Sequence, residues 1–171
     1  AVHSVDSERS PVERMSHHVF HVRRENRFPV LVDLAAAPGR TIMFTRTKRA
    51  ATRLARQLTS AGVPAVELHG NLTQNARTRN LLAFSDGTAQ TLVATDIAAR
   101  GIHVDDVALV IHADPPVEHK AYLHRSGRTA RAGARGTVIT LATDEQLPDV
   151  RSLTRKAGIS PKTTRLEPGD A

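Results

Sequence analysis

The segment from His124 to Arg131 has the residue types best suited to chemistry in this chain. Within eight residues it carries one histidine and three arginines, Arg125, Arg128 and Arg131, and Gly127 interrupts the run. So many like charges repel one another unless an anion lies opposite them. Because the planar guanidinium presents a fork of donors that suits phosphate oxygens, this spacing predicts a phosphate site.

Three further groups of polar or basic residues lie where a strand-like segment ends and a helix-like segment begins. These groups are Thr47; Gly70 with Gln74 and Arg77; and Thr95 and Asp96 with Arg100 and Gly101. The unpaired N–H groups and the dipole at a helix start both favour an anion. If all four groups share one edge of a sheet, they form a positive surface long enough for a nucleic-acid backbone.

The elements that must position these residues alternate along the chain. Extended segments are expected at 19–22, 41–44, 65–68, 91–94, 107–112 and 136–141, and helices at 27–37, 48–61, 74–84, 118–125 and 145–157. This alternation, with short Gly/Pro breaks, predicts a three-layer α/β/α domain with a mainly parallel sheet. We expect the domain to span 15–160, between loose ends at 1–14 and 161–171.

Composition narrows the class of protein. The chain has 171 residues, enough for one α/β domain, and a formal net charge of +7, which favours a polyanionic partner. It has no cysteine, and we expect no metal site, because strand alternation would split His17, His18 and His21 between two faces. No apolar run reaches the roughly 20 residues that span a bilayer, so a cytoplasmic protein without membrane contact is the default expectation.

Several segments resemble the DEAD-box ATP-dependent RNA helicases, in the family's order and spacing, over about 17–157. Leu92–Gly101 and His124–Arg131 resemble motifs V and VI, Thr41–Lys48 resembles motif IV, and His69-Gly70 with Gln74 and Arg77 resembles motif IVa. The resemblance implies the C-terminal RecA-like domain of a two-domain helicase core.

For nucleotide chemistry, the resemblance implies that Arg128 is the arginine finger and Arg131 its companion. Both would reach the γ-phosphate of ATP when the two domains close, and Gly101 and His103 match nucleotide-binding positions. The family usually has Asp where this chain has His103, so we expect a weaker ribose contact or a slight pH dependence, since a protonated imidazole cannot accept a hydrogen bond.

The resemblance also implies two kinds of contact surface. Thr47, Gly70, Gln74, Arg77 and Thr95 match positions that bind consecutive phosphates of one RNA strand, so binding should tolerate sequence and weaken with salt. Four residues match positions that face the N-terminal RecA-like domain, namely His124, Arg125, Asp96 and Arg100.

Two nucleotide-binding signatures are missing from the sequence. There is no G-x-x-x-x-G-K-[ST] loop and no Asp-Glu-Ala-Asp run, and in the family both belong to the N-terminal domain, which binds ATP with Mg²⁺. We therefore expect this chain, a monomer by default, to be inactive as an ATPase alone. The alternatives are the C-terminal domain of a DNA-directed superfamily 2 helicase and a non-catalytic RNA-binding module.

Overall fold

A seven-stranded sheet forms the centre of the protein. The computed structural model describes residues 15–99, 107–128 and 136–166. The strands are β1 (Met15–His21), β2 (Thr41–Phe44), β3 (Ala65–Leu68), β4 (Thr91–Ala94), β5 (Leu109–His112), β6 (Gly136–Ala142) and β7 (Lys162–Arg165). They pair in the order β3-β4-β2-β5-β6-β1-β7, and every pairing is parallel.

Helices connect most of the strands. They are α1 (Arg27–Ala35), preceded by a 3₁₀ turn (Arg24–Asn26), α2 (Lys48–Ser60), α3 (Gln74–Ser85), α4 (Asp96–Ala99), α5 (His119–Ser126) and α6 (Leu147–Lys156). A parallel connection must cross over the sheet, which explains why a helix follows almost every strand. Among the described residues, no helix is long and apolar enough to cross a membrane.

The two faces of the sheet bury separate cores. On one face Met43 of β2 packs with α1 and α2, and on the other Ile42 and Phe44 pack with α3, α4, α5 and α6. Neighbouring residues of a strand point to opposite faces, so a strand covered on both sides reads as a continuous apolar run. All four residues of β2 are buried. The predicted three-layer α/β/α fold is confirmed.

The end of α2 shows why several boundaries could be read from the sequence. Gly62 has φ +92°, a conformation that side chains disfavour. Its N–H donates to the Thr59 carbonyl and the N–H of Val63 donates to the Leu58 carbonyl, which is the Schellman pattern. The glycine that follows the predicted end of this helix at 61 therefore stops it by supplying the left-handed residue.

The end of the described chain differs from the expectation of a loose tail at 161–171. Lys162–Arg165 form β7, which pairs with β1 at the edge of the sheet. Leu166 follows, buried in the core with α1 and α2, and its N–H donates to the His21 carbonyl. The polar sequence of β7 concealed the strand, because an edge strand gains its stability from pairing and exposes its side chains.

Candidate functional site

Four neighbouring strands end at the same level. Leu68 of β3 pairs with Ala94 of β4, Ala94 with Phe44 of β2, and Phe44 with His112 of β5. The pairing continues one step further, since the Thr45 N–H donates to the Ala94 carbonyl at 2.9 Å. The loops that carry the sequence-predicted groups therefore leave the sheet side by side. In an open parallel sheet, this carboxyl edge is where ligands bind.

Thr47, Gly70, Gln74, Arg77 and Thr95 all follow the ends of β2, β3 and β4, and we call this set the phosphate ledge. Thr47 is the N-cap of α2, where its Oγ1 accepts from the Ala50 N–H at 3.1 Å. Gln74 and Arg77 lie one turn apart at the start of α3, as predicted. Thr95 is buried at the end of β4. The ledge thus combines three helix starts.

Gly70 is exposed and lies close to a lysine. A Cβ at Gly70 would lie 3.6 Å from Cε and 3.8 Å from Nζ of Lys48. The Lys48 ammonium also donates to Asn71 Oδ1 at 3.1 Å. A positive charge therefore lies beside the peptide backbone of the ledge, where an approaching phosphate would meet both.

A partly buried hydrogen-bonded network fixes the loop after β3. His69 Nδ1 accepts from the Asn71 N–H at 3.2 Å, which leaves Nε2 to donate to Glu67 Oε1 at 2.6 Å. Thr52 of α2 donates to the same carboxylate oxygen at 2.7 Å. The network ties α2 to β3 and holds Gly70 in place between them.

Arg125 is buried and fully engaged inside this domain. Its Nε and Nη2 donate to the two carboxylate oxygens of Asp96 at 2.5 and 2.8 Å, and Nη1 donates to the Asp114 carbonyl at 2.9 Å. The guanidinium carbon lies 5.1 Å from the centre of the Phe44 ring. The arginine therefore fastens α5 to the start of α4 and to the end of β5.

A neutral histidine accepts a hydrogen bond from this arginine in the protein interior. His112 Nδ1 accepts from Arg125 Nη1 at 3.2 Å, and the ring stacks on Tyr122 with centroids 4.7 Å apart. Burial lowers the pKa of His112 well below its ordinary value, and the positive charge of Arg125 lowers that pKa further. Because the ring stays neutral, it can act as an acceptor for the guanidinium instead of repelling it.

Asp114 fixes the loop between β2 and α2. Its Oδ2 accepts from the Arg46 N–H at 2.9 Å, and its Oδ1 accepts from Arg27 Nη2 at 2.8 Å. Arg46 in turn donates to the Pro115 carbonyl at 2.8 Å. The backbone leading to Thr47 is therefore anchored to the end of β5.

Arg128 lies at the same carboxyl edge, directly after α5. It is half-buried, and its Nη2 donates to the carbonyl of Ala99, the last residue of α4, at 2.6 Å. Its backbone N–H donates to the Arg125 carbonyl at 3.3 Å. The guanidinium of Arg128 is thus positioned by α4, one helical turn from the buried Arg125.

Comparison with known proteins identifies this arrangement. Residues 25–133 match the family described as helicase conserved C-terminal domain. The chain is 40% identical over 131 residues to the ATP-dependent RNA helicase DbpA of Bacillus subtilis, and 44% identical over 128 residues to the DEAD-box ATP-dependent RNA helicase 53 of Oryza sativa. The chain belongs to the DEAD-box RNA helicase family. These alignments cover 75% of this chain but only 27% and 21% of the two relatives.

Solved DEAD-box structures have the same fold. The E. coli DEAD-box protein SrmB, solved with regulator of ribonuclease activity A, superposes with a TM-score of 0.83 at 32% identity, covering 91% of this chain and 96% of that chain. S. cerevisiae Dbp5 bound to RNA and ADP BeF3 superposes at 0.82 with 29% identity, covering 92% of this chain and 42% of that chain. The chain therefore corresponds to the C-terminal, RecA-like domain of these proteins.

The structure brings together the predicted site residues that lie within its described part, and their roles stay predictions. The phosphate ledge, Asp96, Arg125 and Arg128 all occur at the carboxyl edge, and His124 is exposed in the last turn of α5. Arg100, Gly101, His103 and Arg131 lie outside the described residues, so their predicted roles stay predictions.

Arg125 and Asp96, which were both expected to face the N-terminal domain, bind each other within this domain. Only 2% of the Arg125 side chain is exposed, whereas 38% of the Asp96 side chain is. Their contacts with the N-terminal domain stay predictions. The sequence could not reveal this pairing, because 29 residues separate the two groups and the sheet order decides which loops meet.

Three neighbouring residues are not among the predicted site residues. His112, Asp114 and Arg27 position the predicted residues instead of belonging to a motif. A polar residue two positions after a buried strand was the available signal for Asp114. The sequence held no such signal for His112, since a histidine at the end of an apolar strand does not show whether an arginine contacts it.

Proposed function

We propose that this domain is the C-terminal half of an ATP-dependent RNA helicase core. It supplies Arg128 as the arginine finger, with Arg131 as its companion, and it binds one RNA strand along the phosphate ledge. The observation that carries this proposal is the common edge: four strands end in register and bring the ledge and the Arg128 anchor to the same side of the sheet.

The ledge supports the RNA-binding part through its chemistry. It offers helix-start N–H groups, the hydroxyl of Thr47 and the cation Arg77, and the ammonium of Lys48 lies beside it; all of these suit phosphate oxygens. The chain has only five aromatic residues, and Phe44, Phe84 and Tyr122 are fully buried. Base stacking is therefore a small contributor, and backbone contacts should dominate affinity.

The position of Arg128 supports the catalytic part. In this family the nucleotide is bound with Mg²⁺ by the N-terminal RecA-like domain, and the γ-phosphoryl group gathers negative charge as it is transferred. Arg128 is held by α4 at the edge that also carries the ledge. Closure of the two domains would add its positive charge to that site, so that hydrolysis requires closure.

The ion pair between the buried Arg125 and the partly exposed Asp96 supports a link between the two ligands. Arg125 connects α5, which leads to Arg128, with Asp96, which follows the ledge residue Thr95. A shift of the RNA-binding loops would therefore be transmitted to the finger through one rigid contact.

The decisive experiment joins this chain to the N-terminal domain of its own protein and measures ATP hydrolysis. We expect turnover that RNA stimulates, and none from the chain alone. Equal rates with RNA, single-stranded DNA or no nucleic acid would contradict the RNA-helicase proposal. Turnover by the chain alone would contradict the proposal that it is half of a catalytic site.

A further inference from the structure

A basic depression surrounds the N-terminal half of α2, beside the phosphate ledge. Its volume is about 1140 Å³, and its lining comes from α2, from the start of α1 and from the loop after β3. Among the residues that the structure describes, those that line it include six cations and one carboxylate: Arg24, Arg27, Lys48, Arg49, Arg53, Arg56 and Asp114. Asp114 already binds Arg27. The basic depression therefore has a large net positive charge.

Three arginines form a stripe along the outer face of α2. Arg49, Arg53 and Arg56 follow the spacing i, i+4, i+7, which places them on one side of the helix over about 10 Å. They point away from the buried face that contains Ala51, Leu54, Ala55 and Leu58. All three are exposed, and none of their side chains forms a hydrogen bond or ion pair with a residue in the described part of the chain.

This stripe is unfavourable for the isolated helix. Lys48 and Arg49 occupy its first turn, where the helix dipole disfavours cations, and that turn contains no acidic residue. Like charges four residues apart, such as Arg49 and Arg53, also repel each other. An anion bound over the stripe would relieve both effects.

The lining favours phosphates over an acidic protein segment. Of the described residues, the large apolar side chains that line the basic depression are Phe28 and Leu54, and both pack into the core with α1 and α2, where Leu54 is buried and Phe28 is partly buried. The large exposed apolar side chains, Leu82, Ile97 and Val117, lie elsewhere. A docking peptide would thus find only part of the Phe28 ring as an apolar anchor, whereas arginine forks suit phosphate oxygens.

The basic depression is continuous with the phosphate ledge. Thr47 belongs to both, and Asn71, which lines the depression, follows Gly70 and binds Lys48. We propose that an RNA strand lying on the ledge continues over α2, where Arg49, Arg53 and Arg56 bind its next phosphates. This extension rests on the proposed RNA-binding function and lengthens its footprint.

The test uses the whole chain and two labelled oligouridylates, of about five and about fifteen nucleotides, with affinity measured by fluorescence anisotropy over a range of salt concentrations. The variant R49Q/R53Q/R56Q should bind the longer RNA about ten- to a hundredfold more weakly at low salt. The slope of log affinity against log salt should become less negative by about 2, since each lost contact removes about 0.7 from its magnitude. The short RNA should lose much less affinity.

A matched control separates position from net charge. The variant R151Q/R155Q/K156Q removes the same charge from exposed positions of α6, and it should retain affinity for the longer RNA within about threefold, because only general attraction is lost. Circular dichroism and melting temperature confirm that both triple variants are folded.

The outcomes distinguish this inference from the proposed function. The extension over α2 is refuted, and the ledge stands, if both triple variants lower the affinity and the magnitude of the salt slope equally. The same conclusion follows if neither triple variant lowers them while substitution of Gln74 and Arg77 weakens binding. If the unmodified chain binds neither RNA, both proposals fail. If R49Q/R53Q/R56Q loses binding to polyglutamate but keeps its RNA affinity, the basic depression serves an acidic protein segment and the inference is overturned.

Discussion

Two arginines of one helix end, three positions apart, have different surroundings and so different expected tasks. The guanidinium of Arg125 is buried against Asp96 and His112, while that of Arg128 is half-buried and anchored to the Ala99 carbonyl. A buried and fully bonded arginine fixes geometry, whereas a more accessible one can receive a ligand. Loss of the Arg128 side chain should therefore lower catalysis, whereas loss of the Arg125 contacts should lower stability.

Arg128→Ala in the two-domain protein should lower ATP turnover by about 10³-fold or more, because the positive charge of Arg128 stabilises the transition state more than it stabilises bound ATP. ATP affinity should remain within a few fold. Single-turnover hydrolysis and nucleotide binding check the two quantities separately. Arg151→Ala, at an exposed position of α6, is the control, and preserved turnover in Arg128→Ala would refute the finger role.

Asp96→Asn should lower the free energy of unfolding by about 2–3 kcal/mol, because it leaves the buried Arg125 guanidinium without its charged partner. Glu145→Gln removes a carboxylate from the exposed pair with Arg24, at 3.5 Å, and should change stability by less than about 0.5 kcal/mol. Urea unfolding measures both variants. Equal effects would show that the pair of Asp96 and Arg125 stabilises the fold no more than an exposed ion pair does.

His112 should make the domain less stable in acid. The folded protein keeps this ring neutral by lowering its pKa, but the unfolded chain can protonate it below about its ordinary value of 6.5. Each pH unit below 6.5 should therefore remove up to about 1.4 kcal/mol of stability, until the folded pKa is reached. Denaturant unfolding between pH 5 and 7 should show a shallower pH dependence in His112→Asn, and identical profiles would contradict this assignment.

At the scale of elements, the sheet order matters more than any single motif. The loops after β2, β3 and β4 are distant in sequence, and they become neighbours because these strands pair as β3-β4-β2 with their ends in register. The alternation of apolar and helical segments predicted most of these elements at nearly the observed boundaries. It did not predict β7, whose polar residues give no strand pattern.

Leu166→Ala should lower the free energy of unfolding by about 2–3 kcal/mol, because this side chain is 7% exposed in the core with α1 and α2. Thr163→Ala, at an exposed position of β7, should cost about 0.5 kcal/mol or less. Urea denaturation measures both. If the two variants are equally stable, the last strand contributes no packing and the expectation of a loose tail is correct.

At the scale of the whole molecule, the domain would supply part of the RNA-binding site and part of the ATPase site, and the N-terminal domain would supply the rest. The ledge and the basic depression would bind RNA, while Arg128 would act on a nucleotide bound elsewhere. Single-stranded RNA should therefore bind the isolated chain weakly and independently of sequence, with log affinity falling by about 0.7 per decade of salt for each phosphate contact. Anisotropy titrations with several sequences measure this, and salt-independent affinity would contradict backbone recognition.

The sequence by itself determined the layered parallel fold, because apolar periodicity and helix stops are local properties of the chain, and the resemblance of its motifs determined the family. It also predicted which residues bind phosphate, and those roles stay predictions. Only the tertiary structure decided which of the arginines is accessible. The pairing of Arg125 with Asp96, the neutral His112 beneath it and the continuity between the ledge and α2 all depend on contacts between residues far apart in sequence, which the sheet order brings together.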